Sequence, residues 1–472
     1  MSLRERTFSQ EETDAFAAAS GDFNPIHVDP VEARRLIGGG TLVHGVHALL
    51  WALGAALSDK PRGLRLASVD ASFRQPIRVG DRVTWSARPL SADTHVGLSV
   101  VAEGRDALSA ELVVVPDADD GEQASWPKPG RGECRVRSAE EVATAEGALP
   151  PACDVTATRA LLPSLGLPPT QIANLMAVSR LVGMECPGRH SLLHRVDLRW
   201  ESGKGGPAAL GYRVERFDSR FSSLRMRVES AGLVGRVEAF LRPGPAVQPT
   251  ATELRARVRP EEFAGVRGLV VGGSRGLGEV TAKLLGVGGA DVRVTYRAGR
   301  DEALRICHEI REAGGYAQAL VFDVLEERAA LEGLAGWSPS QVFYFPTPYI
   351  SLNETTRFSP RLFRLYCGYY VEGLVRTLDA VLARGPEALT VFYPSTTALD
   401  EVLPKALEYA SAKGAGEVAC RHLEKLHPQV RFRVSRLPRV RTDTTASVLP
   451  VEAREAADVM LAELRALRQG PP

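Results

Sequence analysis

The sequence predicts two architectures in series: an α+β region in which long apolar helices lie against antiparallel sheet, followed by an α/β doubly wound parallel sheet. Three observations carry this expectation. Residues 43–57 form an apolar run of helix length, and strand-like segments at 83–87 and 96–102 follow it with a period of two. From residue 266 the texture changes, and short apolar strands alternate with helices: GLVVGG, ADVRVTY, AQALVFDV, QVFYF, LTVFYPS and VRFRVSRL in turn. That alternation argues a parallel sheet with ligands at the carboxyl ends of its strands.

The N-terminus, MSLRERTFSQEETDAF, has no apolar segment of the secretory kind and is expected to be the start of the enzyme. The 43–57 run is shorter than the ~20 residues a membrane span needs, and His44, Gly45, His47 and Gly54 interrupt it. It therefore predicts a buried helix, and a long helix wrapped by antiparallel sheet is the hot-dog arrangement. The same order recurs weakly: a helical stretch at 171–182 precedes strand-like segments at 193–200, 209–217, 224–230 and 234–241. A double hot dog is the expectation. A stretch rich in Asp, Gly and Pro at 116–132 and a Pro-rich one at 242–250 divide the chain. The predicted parts are a hot-dog domain at 1–118, a linker at 119–150, a second, non-catalytic hot-dog domain at 151–245, a linker at 246–262 and a Rossmann domain at 263–472.

A chain of 472 residues is too long for one core. With 58 basic against 57 acidic side chains, net charge gives no case for a nucleic-acid or membrane-surface protein. The six cysteines (Cys134, Cys153, Cys186, Cys307, Cys367, Cys420) show no metal-ligand or disulfide-framework spacing, so no metal and a cytoplasmic location are expected.

Ser20-Gly21-Asp22-Phe23-Asn24-Pro25-Ile26-His27 holds a carboxylate and an imidazole five residues apart on a turn stiffened by Pro25. Reversible water addition to an enoyl thioester needs one group for the proton at C2 and one for the oxygen at C3, and Asp22 and His27 supply both. The string, with Ala33, Leu42-Val43-His44-Gly45 and Phe73-Arg74-Gln75-Pro76, closely resembles the MaoC-like, (R)-specific enoyl-CoA hydratases. The resemblance implies that the Gly45 amide, at a helix start, polarises the thioester carbonyl. His44 and His47 are read as packed or rim histidines without a catalytic role.

Gly272, Gly276 and Gly278, with Ser274, Arg275 and Leu277, follow an apolar strand and open a helix. Their amides suit a pyrophosphate. Tyr409 and Lys413 lie downstream, with Ser395 before them. Together these are similar to the short-chain dehydrogenase/reductases, which implies that Tyr409 donates a proton to a ketone, Lys413 tunes it and Ser395 bonds the substrate oxygen. The resemblance also implies adenine contacts at Asp323 and Val324 and a nicotinamide contact at Thr442. Two departures stand out: Tyr344-Phe345-Pro346-Thr347 replaces the usual Asn-Asn-Ala-Gly, and Tyr370 takes the place of the relay asparagine, with its backbone carbonyl expected to hold the relay water. Arg297 ends the second strand where an acidic residue would hold a ribose hydroxyl, and with Arg275 it favours the 2′-phosphate of NADPH.

Joined, the two resemblances imply a bifunctional enzyme. It reduces 3-oxoacyl thioesters with NADPH to 3-hydroxyacyl thioesters and dehydrates these to trans-2-enoyl thioesters, in biosynthesis of the fatty acid or polyketide type. The acyl group rides on acyl carrier protein or coenzyme A, and a homodimer is one assembly this reading allows. Two alternatives stay open: a hydratase with a catalytically inactive nucleotide-binding or scaffolding unit, and a degradative hydratase/3-hydroxyacyl dehydrogenase. Arg431, Arg433, Arg436, Arg439 and Arg441 form either a docking edge for an acidic carrier or a solvated face.

Overall fold

A computed structural model describes residues 5–36, 39–58, 63–91, 94–117, 125–201, 206–327, 331, 336–350, 358–403, 405–445 and 452–469. Residues 118–124 of the Asp/Gly/Pro-rich stretch lie outside the described residues. The chain forms two compact units, 1–244 with 447–450, and 245–446 with 451–472. Among the described residues no helix is long and apolar enough to cross a membrane.

The first unit is built on a ten-stranded sheet. Its strands are β1 (Glu5–Thr7), β2 (Leu64–Phe73), β3 (Arg82–Ser91), β4 (His95–Ala102), β5 (Arg105–Pro116), β6 (Glu146–Leu149), β7 (Ser191–Trp200), β8 (Leu210–Asp218), β9 (Ser223–Ser230) and β10 (Leu233–Leu241). They run in the order β1-β3-β4-β5-β2-β7-β10-β9-β8-β6, and all pairings are antiparallel. Two five-stranded halves thus meet where β2 pairs with β7, Ala71 opposite Val196. Each half carries one long helix, α2 (Gly45–Leu57) in the first and α3 (Pro169–Arg180) in the second. Helix α2 is buried nearly all round, Val46 to Ala55 without an exposed residue, as expected of an apolar helix enclosed by sheet. One hydrophobic core runs through both halves.

Helix α1 (Gln10–Ser20) shows how sequence places the functional turn. Ser9 and Glu12 close a capping box at its start, and Gly21 ends it in the left-handed region at φ 77°. Part of the segment expected as linker is structured: a short helix at Ala139–Ala143 precedes β6, which pairs with β8. Edge pairing and a capping box at Ser138 and Glu141 outweigh a local composition that reads as loop.

The second unit has strands β11 (Arg267–Val271), β12 (Asp291–Tyr296), β13 (Tyr316–Val321), β14 (Gln341–Tyr344), β15 (Leu389–Thr396) and β16 (Val430–Leu437). Their order is β13-β12-β11-β14-β15-β16, all parallel. This is the doubly wound order, with its switch point between β11 and β14. Hydrophobic clusters cover both faces of the sheet. The helices that matter for the site are α4 (Gly276–Val287), α5 (Pro360–Cys367) and α6 (Leu407–Leu426).

Candidate active sites

In the first unit Asn24 caps the turn Pro25–Val28, its Oδ1 accepting from Ile26 N at 3.1 Å with Pro25 at the first helical position. The same side chain donates to Gly183 O at 2.7 Å, which ties the turn to the second half. Asp22 and His27 are thereby brought to one cleft that is open at its mouth. Its walls are largely apolar, with Ile26, Val43 and Phe73 from the first half and Val182 and Leu193 from the second. Gly45 lines the cleft as the first residue of α2, and a Cβ there would come within 2.9 Å of the Phe73 ring.

Asp22 is buried. Its carboxylate accepts from Ser179 Oγ at 2.7 Å and from Asn24 N at 3.3 Å. Burial pushes its pKa up, against the pull of His27 and the Ser179 hydroxyl. His27 Nδ1 lies 2.7 Å from Leu42 O, so it carries the proton and donates to that carbonyl; Nε2 keeps its lone pair. Burial and the neighbouring His44 lower the His27 pKa to about 3, so the ring is neutral at physiological pH. His44 stacks on His27 at 3.8 Å and lies 2.9 Å from Asp22 O through Nε2. Burial lowers its pKa to about 4. His47 is buried against Phe8 and Phe16 and is also lowered.

Two residues that matter here were not singled out from sequence, and a third, His44, was read only as a packed or rim histidine. Ser179 and Gly183 come from the second half, on α3 and on the π-helical turn Leu181–Glu185 that continues it. His44 is fully buried beneath the pair. Oxygen and nitrogen atoms of Asp22, His27 and His44 lie within 4.8 Å of one another, but hydrogen bonds to backbone carbonyls already engage one nitrogen of each imidazole.

The buried imidazoles give a stability prediction. A histidine with a lowered folded pKa binds fewer protons folded than unfolded, so stability drops as pH falls below the unfolded value near 6.5 and levels off at the folded value. Each unit is ~1.4 kcal/mol. Asp22, raised, acts in the opposite sense, but one carboxyl stands against three imidazoles. Denaturant unfolding should therefore show the first unit losing several kcal/mol, of that order, between pH 6.5 and 4; a flat profile would contradict neutral buried histidines.

In the second unit the glycine loop has the shape a dinucleotide needs. Gly272 and Gly276 have φ of 71° and 58°, and a Cβ on Gly278 would lie 2.4 Å from Gly272 O. Ser274 and Leu277 sit in this loop, Ser274 buried, and Thr442 lies against Gly276. Arg275 approaches Asp443 at 3.8 Å, and Arg297 approaches Asp323 at 3.9 Å and Tyr369 Oη at 3.4 Å. Asp323 Oδ1 accepts from Leu325 N at 2.9 Å, and Val324 is buried beside it. A phosphate-sized anion would find two guanidinium groups at this end of the sheet.

Ser395 Oγ donates to Glu417 at 2.6 Å, a carboxylate that Arg436 also holds; the hydroxyl partnered with Tyr409 is that of Thr396. The Tyr370 carbonyl, expected to hold the relay water, accepts from Tyr393 Oη at 3.2 Å. The five arginines at the last strand have partners of their own: Arg433 meets Glu463, Arg436 meets Asp400 and Glu417, Arg441 meets Glu455, and Arg431 and Arg439 donate to backbone carbonyls. These arginines are therefore not a row of unmatched charge.

Residues 2–104 match the family model described as MaoC like domain. A mitochondrial 3-hydroxyacyl-[acyl-carrier-protein] dehydratase of Arabidopsis thaliana is 37% identical over 82 residues, 17% of this chain and 49% of that protein. An (R)-specific enoyl-CoA hydratase of Aeromonas caviae is 38% identical over 82 residues, 17% of this chain and 60% of that protein. The chain thus spans about half the length of these curated relatives. Among solved structures, the NADP-bound angucycline C-6 ketoreductase LanV aligns at 19% identity and TM-score 0.40, covering 44% of this chain and 90% of that one. The chain carries a MaoC-like domain at residues 2–104, joined to a unit whose parallel strand order is of the Rossmann type.

Proposed function

We propose that the first unit is a double hot dog with one working site and that it interconverts 3-hydroxyacyl and trans-2-enoyl thioesters. The observation that carries this reading is the buried Asp22 and His27 pair facing one cleft, where burial raises the carboxyl and lowers the imidazole, so that both shifts favour the neutral forms that can give and take a proton. In dehydration His27 Nε2 takes the C2 proton and the carboxyl of Asp22 gives its proton to the departing C3 hydroxyl. The C2–H and C3–O bonds break, the C2–C3 double bond forms and water leaves. The imidazolium then returns its proton to the carboxylate. Gly45 N–H, at the start of α2, stabilises charge on the thioester oxygen.

For the second unit we propose NADPH-dependent reduction of the matching 3-oxoacyl thioester, in fatty acid or polyketide type biosynthesis. The glycine loop would hold the pyrophosphate, Arg275 and Arg297 the 2′-phosphate, Asp323 and Val324 the adenine side and Thr442 the nicotinamide side. When bound, NADPH supplies the hydride. Tyr409 then gives its phenolic proton to the ketone oxygen, with Thr396 as its hydroxyl partner and Lys413 one turn further along α6. Six unpaired thiols suit a cytoplasmic enzyme.

A coupled assay on 3-oxoacyl substrates, carried by acyl carrier protein and by coenzyme A, tests the reading by following NADPH consumption and enoyl formation together. Tyr409→Phe should stop the first and spare hydration of added enoyl thioester. NADPH consumption that survives Tyr409→Phe would refute the assignment of the donor.

Cofactor choice is testable separately. Neutralising Arg275 and Arg297 should weaken NADPH binding by tenfold or more per arginine, from the ~1.5–3 kcal/mol of a hydrogen bond to a charged group, and leave NADH binding within a few-fold. Equal losses for the two cofactors, measured by calorimetry, would refute the 2′-phosphate assignment.

A further inference from the structure

Lys413 lies on α6 one turn after Tyr409, yet its ammonium faces elsewhere. Nζ donates to Pro394 O at 2.6 Å and sits 4.0 Å over the Tyr370 ring and 5.0 Å from the Tyr393 ring. These are the distances of cation–π contacts. The side chain is buried.

The surrounding hydroxyls close this cage. A π-helical turn at Gly368–Glu372 presents backbone carbonyls of the kind such turns free. Tyr344 Oη donates to Tyr369 O at 2.5 Å, and Tyr393 Oη donates to Tyr370 O at 3.2 Å. Tyr370 Oη bonds Thr347 Oγ1 at 2.7 Å. The Tyr370 ring also stacks on Tyr366 at 5.9 Å and meets Tyr409 edge-on at 5.8 Å. The Tyr370 and Tyr393 rings thus lie against the buried ammonium, each fixed by its own hydroxyl.

We propose that Tyr370 is a positioning residue that holds the Lys413 ammonium in a dry aromatic cage and so keeps it from acting on the Tyr409 phenol. The proposal rests on the reductase reading above. Burial lowers the Lys413 pKa to about 7 and raises that of Tyr409, as expected if neither group relieves the other. A phenol left high stays protonated and is hard to ionise, so oxidation of a 3-hydroxyacyl thioester, which needs the phenolate as base, should set in only at high pH.

The test compares the parent with Tyr370→Ala, which removes the ring, and Tyr370→Phe, which keeps it. Two readouts serve: the pH profile of NADP⁺-dependent oxidation of a 3-hydroxyacyl thioester, and the midpoint for acetic anhydride labelling of Lys413, read by mass spectrometry of its peptide. In Tyr370→Ala the acid limb of oxidation should move at least one pH unit lower and the Lys413 labelling midpoint at least one unit higher; Tyr370→Phe should match the parent in both. NADPH binding by calorimetry should be retained in all three proteins, which shows that the fold survives. An unmoved Lys413 midpoint in Tyr370→Ala, or an equal shift in Tyr370→Phe, would overturn the cage even if turnover is too slow to profile. Loss of NADPH binding in the parent would instead overturn the cofactor reading.

Discussion

Asp22→Asn should abolish enoyl formation, lowering kcat/KM for dehydration by about 10²-fold or more, while the protein becomes more stable at neutral pH. Both effects come from one property. The carboxyl is buried, and burial raises its pKa; a group with a raised folded pKa binds more protons folded than unfolded, so ionising it above its unfolded value near 3.8 costs stability. Asparagine has no proton to give the leaving hydroxyl and no charge to desolvate. His27→Ala should remove activity to a similar extent, by loss of the base at Nε2. Calorimetric melting at pH 7 and a steady-state assay on a 3-hydroxyacyl thioester are sufficient checks. Dehydration within a few-fold of the parent in either variant would sink the assignment, since a positioned acid or base typically contributes at least ~10²-fold.

What the sequence could and could not announce follows from how far apart the cooperating residues lie. Asp22, Asn24, Pro25 and His27 sit in one octapeptide, so their turn is readable where it stands. Ser179 and Gly183 are more than 150 residues away and meet Asp22 only because β2 pairs with β7 and joins the halves. The helical stretch at 171–182 carries Ser179 and Gly183 lies just past its end, but no local signal marks a serine as facing a distant carboxylate. In the second unit, strands, glycine loop and helix order follow from apolar alternation, whereas the choice between Ser395 and Thr396 does not. Adjacent residues of a strand point to opposite sides, and which side faces Tyr409 is set by the packing of α6. Here Thr396 meets Tyr409 and Ser395 turns to Glu417. His44 and His47 fit a packed-histidine reading, with one refinement: His44 also stacks on His27 and bears on its pKa.

Gly183→Ala should be nearly as damaging to dehydration as loss of Asp22 itself, although it lies in the half expected to be non-catalytic. A Cβ at this position would fall 2.0 Å from Asp22 Oδ1 and 2.6 Å from its Cγ, distances at which one group must move. The helix cannot easily yield, because the Gly183 carbonyl is held by Asn24 Nδ2 at 2.7 Å and accepts from Cys134 Sγ at 2.9 Å. The carboxylate must therefore swing away, breaking its bond with Ser179 and leaving His27 without its acid. Overpacking of this kind costs ~1–3 kcal/mol, so the protein should stay folded while kcat falls ~10²-fold or more. A misplacement of about 1 Å is enough for that loss. Ser179→Ala, which only releases the carboxylate, should cost less, on the order of tenfold, and should move the alkaline limb of the dehydration profile to higher pH, because the hydroxyl now lowers the Asp22 pKa. A Gly183→Ala enzyme that melts like the parent and dehydrates at the parent's rate would show that the second half does not bear on Asp22.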